Sequence, residues 1–232
     1  MLAWATPAGA KTTERVSLSS TCQPGNNLSA SPGMSADGRY VVFESDASNL
    51  VPGDGNAFTD IFVRDRQTGT TEIVSVSTLG AQADGRSYEP AITPDGRYVV
   101  FTSEATTLLD GGGDTNGRND VFLRDRLFRT TERVSISSAE DQGTGPSGGG
   151  FSVGISDDGR FVVFPSHARN FAPGGVSNGF EQIYVRDRCV SNGNPVDGCI
   201  PGTVRVSEST AGDEGNSTSQ RPVISGNGTS PP

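Results

Sequence analysis

Two short segments hold oxygen-bearing side chains at the same spacing. Asp54-Gly55-Asn56-Ala57-Phe58-Thr59-Asp60 and Asp114-Thr115-Asn116-Gly117-Arg118-Asn119-Asp120 both read Asp-x-Asn-x-x-x-Asp. Calcium is bound by roughly six to eight oxygens, which short loops supply from alternate side chains and backbone carbonyls. A further acidic residue precedes each loop, Asp46 in one case and Glu104 in the other. The expectation is two calcium sites: Asp46, Asp54, Asn56 and Asp60 in the first, and Glu104, Asp114, Asn116 and Asp120 in the second. The role would be structural, ordering a long acidic loop. The same residue types make hydrogen-bonded turns without any metal, and the residues leave that alternative open. A third, related stretch bears on the choice. There Val176 stands for Asp54, Gln182 for Asp60 and His167 for Asp46, and only Asn178 is kept. Three acidic positions disappear together, as expected of one site relaxed as a unit.

Other chemistry is sparse. His167 is the only histidine. It has no accompanying Cys or His to make a transition-metal site and no sequence context suggesting a catalytic triad. Asp and Glu are abundant, yet no carboxylate pair is singled out for acid–base work. The chain therefore reads as non-catalytic. Its formal net charge is −9 and its only lysine is Lys11, which argues against nucleic acid as a partner, since that needs clustered Lys and Arg. No apolar run approaches the roughly 20 residues of a membrane span.

What must position these loops is a repeat. Asp37-Gly38-Arg39-Tyr40-Val41-Val42-Phe43 returns at Asp95 to Phe101 and, with Phe161 for tyrosine, at Asp158 to Phe164. Asp60-Ile61-Phe62-Val63-Arg64-Asp65-Arg66 returns from Asp120 to Arg126 and, more loosely, from Gln182 to Arg188. Thr70-Thr71-Glu72-Ile73-Val74-Ser75 returns from Thr130 to Ser135, ends again in Val204-Arg205-Val206-Ser207, and has a copy at Thr12 to Ser17. Each phrase is short, rich in Val, Ile, Phe and Tyr, and bounded by Gly, Pro, Asn, Asp and Ser, which are strand signals. The second repeat predicts strands near 89–93, 97–103, 120–126 and 130–137, with Pro94-Asp95-Gly96 as a tight turn. A unit of about sixty residues cannot bury its own faces and must stack on neighbours. Four antiparallel strands repeated in constant order describe the blades of a β-propeller. The Arg-Asp-Arg triplets at 64–66, 124–126 and 186–188 read as structural. They fall at a strand end, where the Asp can accept turn amides and the arginines can pair across blades.

The phrase Pro90-Ala91-Ile92-Thr93-Pro94-Asp95-Gly96-Arg97-Tyr98-Val99-Val100-Phe101, then Asp120-Val121-Phe122-Leu123-Arg124-Asp125, then a Thr-rich last strand resembles the TolB-type, WD40-like propeller repeats. The resemblance spans roughly residues 12–228. It implies an all-β propeller of a secreted bacterial type, non-catalytic, acting as an extracellular or periplasmic binding or scaffold module. It names no ligand. Propellers of this type also occur attached to serine peptidases, so a part of a larger hydrolase is a further reading.

The expected organisation is a leader or signal-peptide remnant over 1–11, blades near 30–77, 89–137 and 150–208, partial strands at 12–18 and 221–225, and a tail at 229–232. Three blades fall short of the four to eight of closed rings. Two expectations follow: the chain is a fragment of a longer propeller, or copies join head to tail into a ring or filament. The loops at 19–31, 78–89, 138–151 and 209–221 are the expected variable surfaces, with a protein or glycan partner left unnamed. Cys189 and Cys199 flank an insertion found only in the third repeat. A disulfide there would limit the entropy of a hairpin extension; the alternative is two thiols in a reducing compartment. Cys22 is left over, free or paired between chains.

Overall fold

The computed structural model describes residues 13–149, 152–171 and 177–228. The expected leader and tail lie outside the described residues, as does Val176. The chain forms three successive four-stranded antiparallel sheets. The first pairs β1 (Ser29–Met34), β2 (Tyr40–Ser45), β3 (Asp60–Asp65) and β4 (Thr70–Ile73) in chain order. The second pairs β5 (Ser87–Ile92), β6 (Tyr98–Ser103), β7 (Asp120–Asp125) and β8 (Thr130–Arg133). The third has β9 (Gly154–Ile155), β10 (Phe161–Ser166), β11 (Gln182–Asp187) and β14 (Gly202–Arg205). A small hairpin, β12 (Val190–Ser191) with β13 (Asn194–Pro195), stands between β11 and β14. The register repeats: Tyr40 pairs with Asp65, Tyr98 with Asp125 and Phe161 with Asp187. These are propeller blades, and among the described residues they do not close into a ring.

The partial strands expected at 12–18 and 221–225 do not form ladders among the described residues, where Leu18 makes only a single bridge to Pro24. A ladder needs successive hydrogen-bonded pairs, and among the described residues these segments do not supply them. The turn after the second is nevertheless built like its counterparts. The amide of Gly228 donates to the Ser225 carbonyl at 2.9 Å, as that of Gly96 does to Thr93 at 2.8 Å.

Side chains alternate faces along a strand, and in the middle blade both faces are buried. Val99 and Phe101 pack with Val42, Ile61 and Val63 of the first blade. Tyr98 and Val100 pack with Val162, Phe164 and Tyr184 of the third. The polar phrases of the repeat tie each blade to the one before. Arg126 Nε donates to Glu72 at 2.7 Å, and Arg66 and Arg188 reach Glu14 and Glu132 in the same way. The hydroxyls of Thr71, Thr131 and Thr203 donate to the carbonyls of Leu18, Val76 and Ile136, each at 2.5 Å. The arginines opening each triplet, Arg64, Arg124 and Arg186, donate to the carbonyls of Ser19, Ser77 and Ser137.

The central Asp of each triplet has a local role. Asp65, Asp125 and Asp187 accept the turn amides of Gln67, Leu127 and Cys189. Each also pairs at 2.7 Å with the arginine of its own Asp-Gly-Arg turn, Arg39, Arg97 or Arg160. Arg39 and Arg160 hold Asp65 and Asp187 below the usual carboxylate range. Asp125 is lowered too, its burial outweighed by Arg97 and the turn amides together.

Candidate functional site

The loop between β2 and β3 is anchored by the first residue of β3. Asp60 is fully buried. Its Oδ1 accepts from Ser75 Oγ at 2.6 Å and its Oδ2 from Asn56 Nδ2 at 2.8 Å. The same Asn56 amide donates to the Ala83 carbonyl at 3.0 Å, and its Oδ1 accepts the Phe58 amide at 3.0 Å. Gln82 Nε2 reaches Asp54 Oδ1 at 3.5 Å. Burial pushes the Asp60 carboxyl up to about 6, against the bonds from Ser75 and Asn56, with Asp54 adding repulsion. Asp54 is raised as well, by its own burial against the Gln82 bond.

The second blade keeps the serine of this frame, puts Gln142 where Asn56 stands on the carboxylate, and has one addition. Asp120 accepts from Ser135 Oγ at 2.7 Å and from Gln142 Nε2 at 2.9 Å. Gln142 also donates to Asp114 Oδ1 at 2.5 Å. The addition is Arg133, which stands in β8 where β4 has Ile73. Its Nη1 lies 3.1 Å from Asp120 Oδ2 and 4.0 Å from Asp114 Oδ1, and its Nη2 donates to the Gly113 carbonyl at 2.8 Å. A guanidinium thus sits between the two carboxylates of the second expected site. Burial raises Asp120, opposed by Ser135 and Arg133.

The third blade exchanges the partners. Gln182 takes the place of Asp60 and accepts from Ser207 Oγ at 2.6 Å. Glu214 takes the place of Gln82 and Gln142, and Arg205 that of Arg133. Arg205 Nη1 lies 3.6 Å from Glu214 Oε1. The carboxylate and the amide have changed sides. At the Asp60 position the loss of the carboxylate is thus accompanied by a gain at Glu214, which returns a negative charge beside Arg205.

Asp46 and Glu104 belong to a different surface. Ser45 pairs with Asp60, so Asp46, one residue on, points to the opposite face of the sheet. There it accepts from Thr59 Oγ1 at 2.6 Å. Glu104 likewise lies on the side of Tyr88, whose hydroxyl accepts from Asn119 Nδ2 at 2.8 Å. His167, the third-blade counterpart, lies 3.9 Å from the buried Glu181. Among the described residues the one set of three His, Cys, Asp or Glu whose ligand atoms lie within 4.8 Å of one another is Asp187, Cys189 and Cys199. Those cysteines form the expected disulfide, with Cα atoms 5.6 Å apart, and Cys22 is free and exposed. The structure therefore groups Asp54, Asn56 and Asp60, and separately Asp114, Asn116 and Asp120, and leaves Asp46 and Glu104 apart from them.

Reading the loops alone missed Ser75, Gln82, Arg133 and their counterparts, which lie elsewhere in the repeat. Their signal was the column Ile73, Arg133, Arg205, where the last strands differ. One serine also has the spacing of a nucleophile elbow, in Gly145-Pro146-Ser147-Gly148-Gly149. Its fold context is not a strand–turn–helix. Ser147 is fully buried and shares a 2.8 Å hydrogen bond with Ser166, in the place of the Ser29–Ser45 and Ser87–Ser103 pairs. It is a serine of the blade ladder.

The Asn of each loop does the same work in all three blades. Asn56, Asn116 and Asn178 donate to the carbonyls of Ala83, Gly143 and Gly215. Each also accepts the amide two residues on, from Phe58, Arg118 or Phe180. The side chains at that position are exposed in every blade. By contrast the loops expected to vary fold alike. Each closes on an equivalent bridge, Leu18 with Pro24, Val76 with Gln82, Ile136 with Gln142 and Glu208 with Glu214.

No family model matches the chain, and no curated protein matches it. Among solved structures it is similar to TolB from Acinetobacter baumannii, with 19% identity and a TM-score of 0.49 over 87% of this chain and 36% of that one. It is similar to putative TolB from Agrobacterium tumefaciens, with 18% identity and a TM-score of 0.44 over 78% of this chain and 50% of that one. It is also similar to the β-propeller domain of the Trilobed protease from Pyrococcus furiosus, with 10% identity and a TM-score of 0.41 over 69% and 39% of the two chains. The chain thus spans half or less of the length of each. On its own three sheets of repeated order and register it is an open array of propeller blades, and it is similar to the TolB-like propellers.

Proposed function

We propose that this chain is a non-catalytic binding or scaffold module of an extracellular or periplasmic compartment, and that the loops between the second and third strands of each blade present its contact side chains. One observation supports this most. A constant frame, the Asn bonded to the next loop and to its own, holds exposed side chains of two kinds, Phe58 and Phe180 against Arg118, at one position. A fixed support under a variable side chain is how a repeat surface acquires specificity. The disulfide fits an oxidising compartment. The test is a variant with Phe58, Arg118 and Phe180 all changed to Ala. Its melting temperature stays at the wild-type value while binding to immobilised envelope proteins or glycans falls. A partner bound equally well by the triple variant would overturn the assignment.

Calcium belongs to this reading at the first blade. Asp54 and Asp60 are brought together there and Ile73 stands where the second blade supplies Arg133. Calcium at millimolar concentration should raise the melting temperature of the wild type, and Ile73→Arg should remove that response. An unchanged melt with calcium or chelator removes the metal from the proposal.

A second reading, head-to-tail self-association, has its support in the third blade. Val204, Val206 and Val223 are exposed beside a cavity of about 410 Å³ lined by Val163, Ile183 and Val185.

A further inference from the structure

We propose that the Cys189–Cys199 hairpin is a thiol-controlled latch that the third blade lays over the second, covering Arg97. The hairpin does not simply project into solvent. Its Asn192 amide donates to the Asp158 carbonyl at 2.7 Å, and Ser191 Oγ donates to Asp158 Oδ2 at 2.7 Å, so its base is fixed to its own blade. Its tip then crosses to the neighbouring blade. Arg97 Nη1 donates to the Asn192 carbonyl at 2.8 Å. Gly193 lies so close that a β-carbon there would overlap the Arg97 guanidinium, and its φ of +82° is one that glycine adopts without cost.

The covering has a measurable effect on the arginine. Arg97 is the middle of three equivalents. Each pairs with the Asp of its own blade and lies over the adjacent aromatic ring, at 4.7 Å for Arg39 over Tyr40 and Arg97 over Tyr98. The Arg39 side chain, with no hairpin above it, keeps 35% of its surface exposed. The Arg97 side chain keeps 14%, lying under the hairpin and against the Phe128 ring at 4.9 Å. The hairpin and the Phe128 ring together thus close a surface that the first blade leaves open.

The cross-link is placed where exchange can open it. Cys189 is buried and Cys199 partly exposed. A thiolate of a dithiol reductant attacks Cys199 Sγ, the S–S bond breaks and the Cys189 thiolate leaves. The second thiol of the reductant then displaces Cys199 from the mixed disulfide. Two electrons and two protons pass to the cysteine pair, and the dithiol ends as its own disulfide. Cys199 Sγ lies 3.4 Å from Arg160 Nη2, which favours Cys199 as the thiolate displaced in the second step; Asp187, the other charge there at 3.6 Å, is already paired with Arg160. Once open, the ten-residue separation between the cysteines no longer closes a loop. The bond from Arg97 to Asn192 must then hold the tip against the full chain entropy.

The experiment is phenylglyoxal labelling of the full chain, read by peptide mass, before and after dithiothreitol. Free thiols are counted on the same sample. The expected result is two newly titrated thiols and a several-fold faster modification of Arg97, with Arg39 unchanged. The double variant Cys189→Ser with Cys199→Ser should show the fast rate under both conditions. Three results would overturn the latch: a disulfide that stays closed in dithiothreitol, an Arg97 rate equal in both states with both thiols free, and an Arg39 rate that rises alongside Arg97. The last would mean general loosening.

Discussion

Asp60 and Asp120 occupy the same place in two blades, yet only Asp120 has a guanidinium beside it. A carboxyl raised to about 6 in the fold binds its proton more tightly folded than unfolded. Its stabilising effect is full below the unfolded value, near about 4, and is lost as pH rises through about 6. Asp54, Asp120 and Glu181 are displaced in the same sense, each by burial first. The lowered Asp65, Asp125 and Asp187 act oppositely, and their contribution goes only as pH falls below about 4. In calcium-free buffer Asp60→Asn should therefore stabilise the protein at about pH 7.5, by on the order of 2 kcal/mol, and by little at about pH 4.5. Thermal melts at the two values check this. An equal difference at both would show that the Asp60 carboxyl titrates alike in the folded and unfolded chain, and that burial does not raise it. The sequence displays the acidic residues but not this difference, because the deciding residue, Ile73 or Arg133, comes from a strand more than ten positions away.

Between elements, the Asp-Gly-Arg turns show why one short phrase recurs. Gly96 has a φ of +75°, and a β-carbon on it would overlap the Tyr40 ring of the preceding blade; Gly159 meets Tyr98 and Gly228 meets Phe161 in the same way. These three turns, the last an Asn-Gly turn, are thus docked on the aromatic ring of the blade before, whereas Gly38 in the first blade meets Arg66. Gly80 also has a positive φ, +87°, but faces open space. Gly80→Ala should cost about 1 kcal/mol from the backbone alone, and Gly96→Ala about 2–5 kcal/mol once the overlap is added. Denaturant titrations separate the two. Tyr40→Leu should recover part of the Gly96→Ala loss, and strict additivity of the two changes would disprove the docking. At this scale the strands were legible, since Val, Ile and aromatic phrases bounded by turn residues have few other uses. The loops were not. Ser19, Ser77 and Ser137 are ordinary loop residues in sequence, and only the position of Arg64, Arg124 and Arg186 on the next blade makes their carbonyls anchors.

Across the molecule, the blades share their cores, so stability is a sum of blade and interface contributions. The middle blade contributes to two clusters and each outer blade borders one of them. Hydrogen exchange should find the highest protection in β6 and β7, all of whose residues are buried, and lower protection toward β9 and β14. Phe101→Ala should cost about 3–5 kcal/mol and lower the protection of β2 and β3 with it. A loss confined to the middle blade would show that the blades unfold independently.

Sequence alone determined that the chain is built of blades and how many strands each has, because repeated phrases must solve the same burial problem in the same way. It also placed the disulfide and the structural work of the Arg-Asp-Arg triplets. Tertiary structure decided which charges meet. Strand alternation set Asp46 and Glu104 apart from the carboxylates of the loops they precede, and last-strand residues decided whether a carboxylate pair is neutralised by Arg133 or left to Ile73. Those contacts depend on residues from different strands and blades converging in space, which a repeat read along one dimension does not contain.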